Sequence, residues 1–232
     1  MKTLIATATK YNQKQYETVS KLHQSLRLHS SYYDCIPTYE NKDGLCKVYN
    51  RYLEQYSDDY ECIIFVHDDV FIDSVSFVDT IKLLFANNYS VVGLAGGSNL
   101  KIKKPCLWHL LTNKNTQSGI VSHYLREFNS PGAYVPTIFG QTPKPVVLLD
   151  GLFLALNTKD IKKHNIKFDE NIAGFHHYDL KFSIDCYLKG LKLTTAPIHV
   201  IHESPGLTNM TKEYITSEEY LYKFLESHGN RK

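Results

Sequence analysis

Apolar residues along the chain follow two alternating rhythms. Short continuous runs read as buried strands: Thr3 to Ala8, Glu61 to Val66, Ser90 to Ala95, Val146 to Leu149 and on through Leu152 to Leu156. Leu191 to Thr195 and Ile198 to Ile201 read as late strands. Between the runs, apolar residues recur at helical spacing. Val19, Leu22 and Leu26 predict a helix over 16–28, and Val48, Tyr49, Leu53 and Tyr56 predict another over 45–56. The stretch 75–85 is a third. Asp179 to Leu188 reads as an amphipathic helix stopped by Gly190, and 217–228 as a final helix capped by Ser217. This alternation predicts an α/β fold with a mostly parallel central sheet flanked by helices.

Residues 96–145 break the rhythm. They hold Gly96-Gly97-Ser98-Asn99, the lysines Lys101, Lys103 and Lys104, several prolines and the only tryptophan, Trp108. The stretch reads as an irregular insertion, either solvated or facing a substrate. Trp108 reads either as core or as an aromatic platform for a sugar. With no repeat or linker elsewhere, a single domain is expected over 1–232, with a helical tail at about 207–232.

Composition narrows the function. Hydrophobic residues make up 43% of the 232 and charged residues 22%, which fits a globular chain and excludes a disordered one. Lys plus Arg number 26 against 24 Asp plus Glu, a net charge of +2, so no general nucleic-acid binder is expected. No apolar run approaches the ~18 residues of a membrane span, and Met1 to Ala8 lacks the apolar core of a signal peptide. Cys35, Cys46, Cys62, Cys106 and Cys186 are odd in number and form no CxxC pair. Neither a disulfide framework nor a cysteine zinc site is expected, and the default compartment is cytoplasmic.

Candidate chemistry gathers in three places. The apolar strand ending at Val66 delivers His67, Asp68 and Asp69 to its carboxyl end, the edge where open α/β sheets bind ligands. Adjacent carboxylates repel, so they either cap a turn or face a compensating cation. Oxygen ligands suit Mg²⁺ or Mn²⁺ bridging to phosphates. Alternation along 198–202 sends His199 and Ile201 to one face and Val200 and His202 to the other. His202 thus emerges at a strand end before Ser204-Pro205-Gly206, there to complete a metal shell or to face solvent. Phe175-His176-His177-Tyr178-Asp179 opens a helix, where Asp179 either stabilises the macrodipole or serves as a general base.

The order of these motifs resembles the family 2-type glycosyltransferases with a GT-A fold, and within them the branch resembling the streptomycin-biosynthesis StrF-like domain. The motifs are His67-Asp68-Asp69-Val70, Leu149-Asp150-Gly151-Leu152-Phe153, Phe175 to Leu180, Gly190-Leu191-Lys192, and His202 with Ser204 and Gly206. The likeness covers about 3–206. It implies Asp69 as a metal ligand, with His67 where the first Asp of the family's Asp-x-Asp motif stands and Asp68 near the ribose or sugar. His202 resembles a further metal or diphosphate contact. Thr7, Ala8 and Thr9 match the site for base and ribose, and Asn50 matches an Asn of the helix lining the nucleotide. Asp150 and Gly151 resemble the segment beneath donor sugar and acceptor. The family's Glu-Asp pair aligns with His176-His177, so the resemblance leaves two candidate bases, Asp179 first and His177 second. Lys181 stands where relatives carry another acid.

The resemblance therefore implies transfer of a sugar from a nucleotide-diphosphate donor to an acceptor hydroxyl, with Mn²⁺ or Mg²⁺ and with inversion. A glycan, a lipid-linked sugar or a protein is the implied acceptor. Tyr214, Tyr220 and Tyr222 are candidates to close over the donor. The alternatives are a nucleotidyltransferase or other metal-dependent nucleotide enzyme, and an inactive module that binds sugar nucleotides. No GxxxxGK[ST] or GxSxG occurs, which disfavours a P-loop enzyme and a Ser-His-Asp hydrolase.

Overall fold

The computed structural model describes residues 1–29, 32–100, 104–124, 133–204 and 210–228. The chain opens with β1 (Thr3–Ala8), α1 (Gln13–Val19), α2 (Lys21–Leu26), β2 (Tyr33–Thr38), α3 (Leu45–Tyr56) and β3 (Cys62–Val66). There follow β4 (Val70–Ile72), α4 (Phe77–Ala86), β5 (Val91–Gly93), β6 (Ala95–Gly97), α5 (Trp108–Leu111), β7 (Gln117–Tyr124) and β8 (Tyr134–Gly140). The last part holds β9 (Pro145–Val146), β10 (Leu148–Leu149), β11 (Phe153–Asn157), α6 (Thr158–Lys163), α7 (Tyr178–Leu188), β12 (Leu193–Thr195), β13 (Val200–His202) and α8 (Lys212–His228).

These strands form two sheets. The larger has the order β2-β1-β3-β11-β5-β12-β9, and the smaller β10-β6-β7-β13-β4 with β8 on β7. β1 runs parallel to β2 and β3, and β12 parallel to β5, while β11 lies antiparallel between β3 and β5. The chain steps between the sheets through short links at 67–69, 94, 141–144, 147, 150–152 and 196–199.

Both faces of the larger sheet are buried, as its continuous apolar strands require. Alternation sorts each strand: Ile5, Ile64 and Ala155 enter one apolar cluster, and Leu4, Phe65 and Leu154 the other. The first cluster is covered by α4 and α8 through Phe77, Ile81, Leu221 and Leu225. The second is covered by α3 through Val48, Tyr49 and Leu53, together with Tyr178, Phe182 and Cys186 of α7. Tyr49 stacks on Phe65 at 4.1 Å between ring centroids, and Phe168 stacks on Phe182 at 4.0 Å. This aromatic floor supports α7, whose other side sends Leu180 and Ile184 into the first cluster. Gly190, with φ +86°, ends α7 in the left-handed conformation that glycine adopts most readily.

Several expectations change. The central sheet is mixed rather than mostly parallel, because β11 runs antiparallel to both its neighbours and β9 antiparallel to β12. The run 146–149 breaks at Val147 between the two sheets. The helix over 16–28 is two helices, because Ser20 caps the second: its Oγ accepts from His23 N at 3.1 Å and donates to Asp68 O at 2.8 Å. The run 90–95 breaks at Leu94 and serves both sheets. The stretch 96–145, read as irregular, holds β7 and β8, the longest strands among the described residues. Polar Gln117, Ser118 and Ser122 are buried in β7 by hydrogen bonds, and β8 is an exposed edge, so neither shows apolar alternation. Finally, α8 starts at Lys212, so Ser217 lies inside it rather than capping it. All five cysteines are free.

Candidate active site

The site forms where β3 ends. Val66 pairs with Phe153, so the 67–69 and 150–152 links emerge side by side, and β13 brings His202 opposite Val70. His67, Asp69 and His202 each offer one ligand atom, all within 4.8 Å of one another. Asp69 Oδ1 and His202 Nε2 lie 3.2 Å apart. Both atoms are buried, and neither has a well-aligned hydrogen-bond partner among the described residues. One carboxylate and two imidazoles converging in a buried corner, with the polar atoms of two of them poorly satisfied by the protein, are a ligand set that fits a divalent ion. Burial alone would raise the Asp69 carboxyl, but His202 and His67 hold it below its usual range. Asp68 turns away: Thr9 Oγ1 donates to its Oδ2 at 2.5 Å, and burial raises its carboxyl.

On the neighbouring link, one glycine residue is held through both its N–H and its C=O. Gly151 N donates to Asp179 Oδ2 at 2.6 Å, and Tyr178 Oη donates to Gly151 O at 3.0 Å. A Cβ on residue 151 would stand 2.3 Å from Tyr178 Oη and 2.7 Å from Asp179 Cβ. The close approach that requires glycine is therefore made by the start of α7. Burial first, and then the Asp150 carboxylate, push the Asp179 carboxyl up to about 7, against the opposing Gly151 N–H. Tyr178 Oη also meets His67 Nε2 at 2.8 Å. Metal ligand and acid are thus linked by three hydrogen bonds through one phenol and one glycine residue.

Other candidates lie elsewhere. His177 is 5% exposed, caps α7 with φ +63°, and bonds Ser217 Oγ through Nδ1 at 2.7 Å. Burial and His176 lower its imidazole to about 4. Asn50 spends its amide on the fold: it accepts from Phe168 N at 2.8 Å and donates to Phe168 O and Glu170 Oε1. Thr7 is fully buried, whereas Ala8 is half-buried at the strand end. Lys181 is buried in an ion pair with Asp185 at 2.5 Å and lies 3.9 Å over the Phe224 ring. Trp108 is 2% exposed and packs on Phe139, so it is core rather than a sugar platform. Tyr214 packs on His177, Tyr220 bonds Asp169, and Tyr222 bonds Glu226 of its own helix. Lys101, Lys103, Pro205 and Gly206 lie outside the described residues.

Two groupings escaped the sequence. His123 is in register with His202, with ring centroids 5.8 Å apart; its strand, β7, carries no apolar signal. Ser122 Oγ, His199 Nε2 and Asp73 Oδ2 form a Ser-His-Asp array at 2.8 and 2.9 Å. Ser122 is fully buried, so the array ties β7 to the end of β4 and offers no nucleophile.

A family model described as "Glycosyltransferase like family" matches residues 5–227. The chain belongs to this glycosyltransferase-like family. Solved structures share its GT-A fold. Residues 1–349 of S. aureus TarS match with TM-score 0.54 and 17% identity, over 100% of this chain and 72% of that one. A197 from STIV matches with TM-score 0.54 and 12% identity, over 88% and 86%. GalNAc-T7 with UDP, GalNAc and Mn²⁺ matches with TM-score 0.53 and 12% identity, over 99% and 54%. No curated protein matches in sequence. Among the described residues of this glycosyltransferase-like chain, no helix is long and apolar enough to cross a membrane.

Proposed function

We propose that the chain is a metal-dependent glycosyltransferase that moves a sugar from a nucleotide-diphosphate donor to an acceptor hydroxyl with inversion. The observation that carries this reading is the meeting of the His67–Asp69–His202 group with Asp179 across Tyr178 and Gly151. His67, Asp69 and His202 would hold the ion, which when bound supplies positive charge against a departing diphosphate. Two imidazoles beside one carboxylate favour Mn²⁺ over the harder Mg²⁺. Ala8, at the end of β1, and Asp68, just beyond the end of the paired strand β3, would form the nucleotide-facing edge, with buried Thr9 holding Asp68 in place.

Asp179 is the base. It takes the proton from the acceptor hydroxyl as that oxygen bonds the anomeric carbon. The bond from that carbon to the diphosphate oxygen breaks with its electron pair, and a nucleoside diphosphate leaves. Attack from the face opposite the leaving group inverts the centre. A carboxyl raised to about 7 has the basicity this role needs near neutral pH. His177 serves poorly as a base, since its imidazole is lowered to about 4 and committed to Ser217. The finer likeness to the StrF-like branch rests on motif order alone.

TarS has been solved with UDP and with UDP-GlcNAc, so uridine donors are the first to test. The protein is incubated with UDP-, GDP- and dTDP-sugars, Mn²⁺ and glycan, lipid-linked or peptide acceptors. Release of nucleoside diphosphate with a glycosylated acceptor is the expected result. Pyrophosphate release would point instead to a nucleotidyltransferase, and donor binding without turnover to an inactive module.

A further inference from the structure

The phenol of Tyr178 has one proton to give; it meets the Tyr49 phenol, which can itself donate, and two further groups. Its Oη lies 3.0 Å from Gly151 O and 2.8 Å from His67 Nε2. A carbonyl oxygen only accepts, so the phenol proton goes to Gly151 O. The oxygen that remains is an acceptor, and the bond to His67 forms only if Nε2 carries the ring proton. A neutral His67 then has its single lone pair on Nδ1. Tyr178 is fixed in this orientation by its surroundings: it is 2% exposed, its ring lies edge-on to Tyr49 at 5.5 Å, and it opens α7 beside Asp179.

We propose that Tyr178 is a positioning residue that holds His67 as the Nε2–H tautomer, aiming the Nδ1 lone pair at the metal shared with Asp69 and His202. The inference rests on the metal reading given above and deepens it. A histidine ligand whose far nitrogen is anchored keeps its ring orientation and tautomer, and loss of such an anchor typically weakens metal binding by about 10–100-fold. Here the anchor stands on the same helix as the base. Its hydroxyl therefore ties the orientation of a metal ligand to the placement of Asp179 through Gly151, whose C=O accepts from Tyr178 and whose N–H donates to Asp179.

Two measurements on the full chain test this. The first is nitrogen NMR of the metal-free protein at pH 8, with the His67 signals assigned by their loss in His67→Gln. A protonated Nε2 and an unprotonated Nδ1 are expected, and the opposite tautomer in the wild type overturns the proposal. The second is Mn²⁺ titration of wild type and Tyr178→Phe, which keeps the buried ring and removes only the oxygen. The expected result is a 10–100-fold weaker Mn²⁺ affinity in the variant, with the His67 tautomer no longer fixed. Unchanged affinity in a folded Tyr178→Phe overturns the positioning role. The NMR result needs neither metal nor Tyr178→Phe, so it decides the tautomer even if that variant fails to fold. Absence of Mn²⁺ binding by the wild type would overturn the metal reading, and the claim on affinity with it, and is distinguishable from a wrong tautomer.

Discussion

Gly151 and Asp179 are joined by a hydrogen bond of 2.6 Å from backbone amide to carboxylate. The bond favours the charged acid, while burial and Asp150 disfavour it more strongly, leaving the carboxyl at about 7. Activity is expected to fall on the acid side of an apparent pKa near 7. Replacing Asp179 by Asn should remove that limb and lower kcat by about 10²–10⁴-fold. A pH profile of kcat/KM for both proteins checks this.

The same shift has a consequence for stability. A carboxyl raised from 3.8 to about 7 in the folded state favours folding while it is protonated. That contribution is complete below pH ~4 and is lost as the pH rises through about 7. Asp179→Asn, which still accepts from Gly151, should therefore melt higher than wild type at pH 8, by roughly 2–4 °C per kcal/mol gained. The two should converge at pH ~4. Equal melting temperatures at pH 8 would contradict the raised pKa.

Gly151→Ala places a methyl 2.3 Å from Tyr178 Oη and 2.7 Å from Asp179 Cβ. Neither neighbour has room to retreat, since Tyr178 is buried among aromatic rings. A loss of about 1–3 kcal/mol is expected from overpacking, read by urea denaturation. Transfer activity should fall further than stability does.

Metal removal gives a separate test. Mn²⁺ should raise the melting temperature of the wild type, EDTA should cancel the rise, and Asp69→Ala should abolish it, because a ligand that binds only the folded state stabilises by mass action. A rise that survives in Asp69→Ala would place the ion elsewhere.

Asn50 and Lys181 are assigned to the fold, and their variants should show it. Asn50→Ala strands the buried amide of Phe168, at a cost of about 1–3 kcal/mol, with nucleotide affinity unchanged. Lys181→Met leaves Asp169 and Asp185 facing each other without their shared cation, at a cost on the order of 3 kcal/mol. Urea denaturation and a nucleotide titration separate the two effects.

The central strands of the larger sheet were legible because strands buried on both faces are written as uninterrupted apolar runs, as at Cys62 to Val66, whereas its half-exposed edge strand β2 and the short helix α6 carry no such signal. Much of the smaller sheet was not. Ser118 and Ser122 take core positions in β7 only because Thr195 and His199 meet their hydroxyls, and such partners are invisible from local pattern. His67, Asp69 and His202 were legible as strand-end polar groups, and the structure brings them together. The partners of Asn50 were not legible, since its amide meets Phe168 and Glu170, 118 and 120 positions away in sequence. Tyr178 was visible only as a neighbour of Asp179, since its role depends on one carbonyl 27 positions away in sequence.

The links between the sheets bear on how the molecule comes apart. His67 to Asp69 and Asp150 to Leu152 are both stitches in one seam, sewn again at Leu94, Val147 and 196–199. Neither sheet can detach without pulling on residues that meet at the site. Loss of the site and loss of the fold should therefore be a single cooperative event, and amide exchange at Asp69 and Gly151 should be as slow as at the core strands, although these residues occupy links and not strands.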